Sequence, residues 1–133
     1  MPSLKMPRVL VLDDDDACHA VFDQILPDCS VLHVYTAQQA CKVMFDSEPF
    51  DLACLDHDLG MFDHRPDNCL VPYADVGTGT DVAEFIATIL PSRKYPRKII
   101  IHSWNPVGVR RMLQALWPTK ISITAKEFST KKE

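Results

Sequence analysis

The chain alternates apolar runs of strand length with segments of helical period, and three of the runs end in acidic or polar clusters. Val9-Leu10-Val11-Leu12 leads into Asp13-Asp14, Leu52-Ala53-Cys54-Leu55 into Asp56-His57-Asp58, and Ile99-Ile100-Ile101 into His102-Ser103. This alternation is the pattern of successive βα units on a parallel sheet, whose strands are buried on both faces and read as continuous apolar runs. In an open sheet of this kind the ligand crevice lies outside the carboxyl ends of the strands. The clusters should therefore converge on one small site.

Strands are expected near Arg8 to Asp13, Ser30 to Tyr35, Phe50 to Leu55, Lys98 to His102 and Lys120 to Thr124. A first helix starts at Asp15 or Asp16, buries Val21, Phe22, Ile25 and Leu26, and stops at Pro27. A second opens on Thr36 with Gln39 three residues on, a capping box, and buries Ala40, Val43 and Met44. The third follows Gly77-Thr78-Gly79-Thr80 and places Val82, Phe85, Ile86 and Ile89 on one face. The fourth has Asn105 as N-cap and Pro106 at its first position, with a stripe of Val109, Met112, Leu113 and Leu116. Lys126 to Glu133 are too few and too polar for a fifth packed helix, so one sheet face is expected to be less covered, inviting a homodimer or a partner. The long irregular stretch 61–79 predicts a lid or binding loop, with disorder as the alternative, and residues 127–133 a polar tail.

At 133 residues, 47% of them hydrophobic, the chain fits a single domain with one core. A net charge of -4 argues against a membrane surface or a broad nucleic-acid groove as partner, both of which call for a basic stripe. A small phosphorylated ligand stays compatible, since one metal ion and one lysine can deliver local positive charge. Five widely spaced cysteines without a C-x-x-C pair predict a reducing, cytoplasmic setting. No apolar stretch approaches the roughly 20 residues that span a bilayer.

The runs Val11-Leu12-Asp13-Asp14 and Asp51-Leu52-Ala53-Cys54-Leu55-Asp56, with Ser103 after the fourth strand and Lys126-Glu127-Phe128 after the fifth, resemble the phosphoacceptor receiver domains of response regulators. Leu55-Asp56-His57-Asp58-Leu59-Gly60, Thr78-Gly79-Thr80-Asp81-Val82 and His102-Ser103-Trp104-Asn105-Pro106-Val107-Gly108 are similar, more closely, to a receiver-like family associated with processing of cyclic phosphates. The resemblance implies a flavodoxin-like, doubly wound sheet of order 2-1-3-4-5, from which this sequence departs in lacking the last helix. It also implies that Asp13 and Asp14 are the acidic pair, Asp56 the acceptor or metal ligand, and Ser103 and Lys126 the holders of phosphate oxygens. Departures from an ordinary receiver are Glu127 in place of the usual proline, His57 and Asp58 after the acceptor position, the inserted loop, and His102 before the hydroxyl residue.

Chemistry supports such a site. Asp13, Asp14 and Asp56, crowded together, would raise one another's pKa unless a hard divalent cation neutralised them, which predicts Mg2+ or Mn2+ with Asp58 as a further ligand. Helix N-capping by the aspartates after Asp13 is the competing explanation of that run. His57 and His102 adjoin strand ends, and imidazole is the side chain suited to proton transfer at neutral pH, so they are candidate acid and base for in-line attack on phosphorus. Asn105 caps the fourth helix and can also face an anion at that helix end, and Trp104 could stack a base or ribose. His19 and His33 are expected to be surface or helix-face residues. A closed zinc site from His57, His64, Cys69 and His102 has no matching ligand spacing.

The function expected is a metal-dependent phosphoesterase acting on cyclic phosphates of RNA ends or nucleotides, with Asp56, His57, His102 and Lys126 catalytic. The alternative is a signalling receiver phosphorylated on Asp56.

Overall fold

A computed structural model describes residues 6–59, 77–103 and 105–126. The elements follow the expected order: β1 (Arg8–Leu12), α1 (Asp16–Ile25), β2 (Ser30–Val34), α2 (Ala37–Asp46), β3 (Leu52–Leu55), α3 (Gly79–Thr88), β4 (Lys98–His102), α4 (Pro106–Leu116) and β5 (Ser122–Lys126). The strands form one parallel sheet of order β2-β1-β3-β4-β5, the doubly wound topology expected. Most of the expected lid, the tail 127–133 and Trp104 lie outside the described residues. Among the described residues no helix is long and apolar enough to cross a membrane.

The strand sequences sort themselves by position in the sheet. Central β1 and β3 are buried along almost their whole length, whereas edge strands β2 and β5 alternate or lie open. Leu10, Leu12, Ala53, Leu55, Ile99 and Ile101 point to one face and pack against α2, α3 and α4. Val9, Val11 and Cys54 point to the other and meet Phe22 of α1, with Ile100 only partly covered. That second face carries α1 alone among the described residues, so less of it is covered, as expected.

Helix starts are fixed locally. Thr36 and Gln39 form the predicted capping box, and Asn105 Oδ1 accepts from the Gly108 N–H at the start of α4. Helix ends depart from expectation. Ile25 and Ile89 are 57% and 61% exposed, because each stands where its helix stops and the chain turns, so that Leu26 and Leu90 take their places in the core. Leu113 is also exposed, on the side of α4 that borders edge strand β5. The fifth strand starts two residues later than expected. A 3-10 turn at Trp117–Thr119 ends on Lys120 in the left-handed region, φ 64°, and pairing resumes only at Ser122. The later register carries Lys126 into the strand, opposite His102.

A candidate divalent-metal and phosphate site

The carboxyl ends of β1, β3 and β4 bring the three clusters together. Asp13 and Asp14 leave β1 buried, 3% and 4% exposed, and Asp56 leaves β3 beside them. One carboxylate oxygen from each of Asp13, Asp14 and Asp56 lies within 4.8 Å of the other two. Helix capping falls to Asp15, whose Oδ1 accepts from the Ala17 N–H at 2.9 Å, so the cap and the pocket use different aspartates.

Gathering these groups has an electrostatic consequence. Burial, then the charges of Asp13 and Asp14, push the Asp56 carboxyl from its ordinary 3.8 up to about 9; the His57 backbone N–H, bonded to it, pulls the other way. A carboxylate this disfavoured among two others is a site a hard dication relieves. The donors present, three carboxylates with oxygen atoms only, suit Mg2+ or Mn2+.

Asp13 is held from both sides. Its Oδ1 accepts from the Asp15 N–H at 2.9 Å and its Oδ2 from His102 Nε2 at 3.0 Å, a bond buried at both ends. Phe22 of α1 packs edge-on against the His102 ring, centroids 5.0 Å apart. His102 is therefore set to orient a ligand carboxylate.

Asp58 acts electrostatically on Asp56 but is not one of the three residues whose carboxylate oxygens lie within 4.8 Å of one another. Its Oδ1 is 2.8 Å from His57 Nδ1 and 3.1 Å from Asn105 Nδ2, so its oxygens are engaged across the loops after β3 and β4. Asp58, expected as a further metal ligand, is engaged here with His57 and Asn105. Asn105 caps α4 through its Oδ1 and reaches Asp58 through its amide Nδ2. The His57 ring lies flat enough on the first turn of α4 that a Cβ on Gly108 would overlap it.

Ser103 is buried, its Oγ accepting from the Asn105 N–H at 3.1 Å. It shares a cleft between α4 and β5 with Lys126 and Arg110. The predicted hydroxyl and lysine are thus brought together, with Arg110 as a second cation in that cleft.

His19 lies on the inward face of α1. It is 4% exposed, its Nε2 2.9 Å from the Asp13 carbonyl, and burial lowers its pKa. The one signal in the sequence was its place between Cys18 and Phe22 on the face of α1 that turns inward.

Comparison with known structures defines the class. The receiver domain protein of Methanospirillum hungatei JF-1 superposes with a TM-score of 0.60 at 21% identity, covering 94% of this chain and 85% of that one. The response regulator TrrA of Thermotoga maritima, solved in complex with Mg2+–BeF, gives 0.62 at 19% identity, covering 95% and 91%. A response regulator of Burkholderia pseudomallei, solved with a phosphorylated aspartic acid, calcium ion and citrate, gives 0.59 at 14%, covering 94% and 62%. The fold is that of a receiver domain. No match was found among curated proteins. Residues 8–117 match the cyclic-phosphate processing receiver domain, and the chain belongs to that family.

Proposed function

We propose that the domain is a Mg2+- or Mn2+-dependent phosphoesterase that opens cyclic phosphates of RNA ends or nucleotides. The observation that carries this reading is the convergence of Asp13, Asp14 and Asp56 at the strand ends, with two imidazoles bonded into the surrounding loops. A bound dication would neutralise the three carboxylates, polarise the phosphorus and hold water near it. Ser103 and Lys126, sharing one cleft, are the groups that hold phosphate oxygens. His57 is oriented by Asp58 through Nδ1, which leaves Nε2 to take a proton from the attacking water and return it to the departing ribose oxygen. His102 acts through Asp13, as a positioning residue rather than the second acid or base.

A second reading keeps the same residues without turnover: a signalling receiver phosphorylated on Asp56. The position of Asp56 at the end of β3, in a fold shared with a regulator solved with a phosphorylated aspartic acid, favours it. One experiment separates the two. The protein is incubated with Mg2+ and either a 2′,3′-cyclic nucleotide or a small phosphodonor. Hydrolysis of the cyclic nucleotide, abolished by His57→Ala, is expected; a stable mass gain on Asp56 from the donor, with no hydrolysis, would replace the esterase reading with the signalling one.

A further inference from the structure

Although the chain carries 18 acidic residues against 14 basic ones, it keeps carboxylates off a run of surface along α4 and edge strand β5. Three adjoining clefts, of about 350, 390 and 470 Å³, make up this run. The first holds Ser103 and Lys126 and shares Arg110 and Leu113 with the second; the second shares Leu113 and Trp117 with the third, where Lys120 stands. Arg110, Lys120 and Lys126 thus line it, and among the described residues none of the lining side chains is acidic.

The run has a direction. Its near end belongs to the phosphate site, since Lys126 stands opposite His102 in the sheet and His102 bonds Asp13. From there α4 leads away from the strand ends through 11 residues to Trp117, about 16 Å at about 1.5 Å per residue. The floor between is apolar, with Leu113 from the helix and the half-buried Ile121 and Ile123 from the strand side. Trp117 closes the far end with its side chain 83% exposed, a large ring that fills no core. Cations spaced along an apolar floor and an open aromatic ring are the parts with which proteins hold single-stranded nucleic acid, the cations following the backbone and the ring stacking a base. The net charge of -4 speaks against a broad groove, but a track for a few nucleotides needs only these few cations.

We infer that this track binds single-stranded RNA upstream of its 3′ end, so that the substrate is an RNA terminus rather than a free nucleotide. The terminal cyclic phosphate sits at Ser103 and Lys126, the upstream backbone follows Arg110 and Lys120, and a base stacks on Trp117. The strand is RNA because a 2′,3′-cyclic phosphate requires the ribose 2′-hydroxyl. The inference rests on the esterase reading for the terminal phosphate, but the track itself is tested without turnover.

In EDTA, a fluorescently labelled short single-stranded RNA with a 3′-hydroxyl is titrated with the full chain and followed by anisotropy. Binding is expected, weakened about tenfold in Trp117→Ala. With three cations engaged, the slope of log affinity against log salt should be about -2, falling to about -1.4 in Arg110→Gln. Because Trp117 is exposed, its variant should keep the wild-type Tm. With Mg2+, kcat/KM for an RNA ending in a 2′,3′-cyclic phosphate should exceed that for the cyclic mononucleotide about tenfold, and Trp117→Ala should erase the margin. RNA affinity unchanged in Trp117→Ala would overturn the inference, as would absence of RNA binding with Trp117 buried in a self-complex seen by light scattering. Equal kcat/KM for the two substrates would overturn it while leaving the esterase reading intact. RNA bound through Trp117 and Arg110, with neither substrate hydrolysed, would uphold the track and remove the esterase.

Discussion

Replacing Asp56 by asparagine should stabilise the metal-free domain, against the usual effect of substitution at a buried position. Asp56 has its carboxyl pushed up from 3.8 to about 9, by burial first and by Asp13 and Asp14 next. The sign follows from linkage. Below pH 3.8 folded and unfolded chains both hold the proton and Asp56 costs nothing. As pH rises the unfolded chain ionises first, and stability falls by about 1.4 kcal/mol per pH unit until the folded pKa is reached. At pH 7 the accumulated cost is on the order of 2–4 kcal/mol, and the lower figure of about 2 kcal/mol is used for the variant. In a domain of this size that is a rise in Tm of about 8 °C for Asp56→Asn. Thermal unfolding in EDTA between pH 5 and 9 measures it, and the gain should grow with pH. With Mg2+ present the wild type should recover, by about 2.7 kcal/mol at a hundredfold excess over Kd, and the difference should shrink or reverse. A variant that in EDTA is less stable than wild type at pH 7, with a difference independent of pH, would refute the carboxylate-crowding argument.

Three other substitutions probe the surroundings. His102→Ala should weaken Mg2+ binding about 10- to 100-fold, measured by the Mg2+ dependence of Tm, because Asp13 Oδ2 loses the partner that aims it. Gly108→Ala, although favourable to a helix, should cost about 1–3 kcal/mol in chemical denaturation, since the new methyl overlaps the His57 ring, and the His57 resonances should shift. Asn105→Ala should cost about 1 kcal/mol through the lost cap of α4 and should speed amide exchange at the Gly108 N–H.

What the sequence made legible is what local rules and topology decide. The apolar runs marked the strands, Thr36 with Gln39 and Asn105 with Pro106 marked helix starts, and the rule that parallel strand ends face the crevice brought Asp13, Asp14 and Asp56 together. What escaped depends on rotation and angle. Whether His19 faces water or the sheet turns on the rotation of α1 about its axis, to which a single position on a short helix gives little weight. The partners of Asp58 depend on how closely the start of α4 approaches the loop after β3, a distance no periodicity encodes. The delayed start of β5 came from Lys120 adopting a left-handed conformation that its side chain does not advertise.

That close approach gives the site its mechanical character. His57 follows Asp56 directly, bonds Asp58 and rests on Gly108; Asp58 takes the Asn105 amide; Asn105 in turn accepts the Gly108 N–H. The loop that carries the most strongly perturbed carboxylate is therefore tied to the cap of α4 through side-chain bonds of 2.8 to 3.1 Å. On the opposite side His102 and His19 tie Asp13 to β4 and α1. A change of charge at Asp56, by ion, proton or phosphoryl group, acts on a pocket braced at both ends, and the weaker brace yields. The Asp58–Asn105 side is the less buried of the two, with Asp58 31% exposed against 4% for Asp13, so water can replace its bonds at lower cost. Movement on charge neutralisation is therefore expected at the start of α4, the segment that also walls the cleft shared by Ser103 and Lys126, and amide exchange with and without Mg2+ measures it; exchange there that ignores Mg2+ would refute the argument.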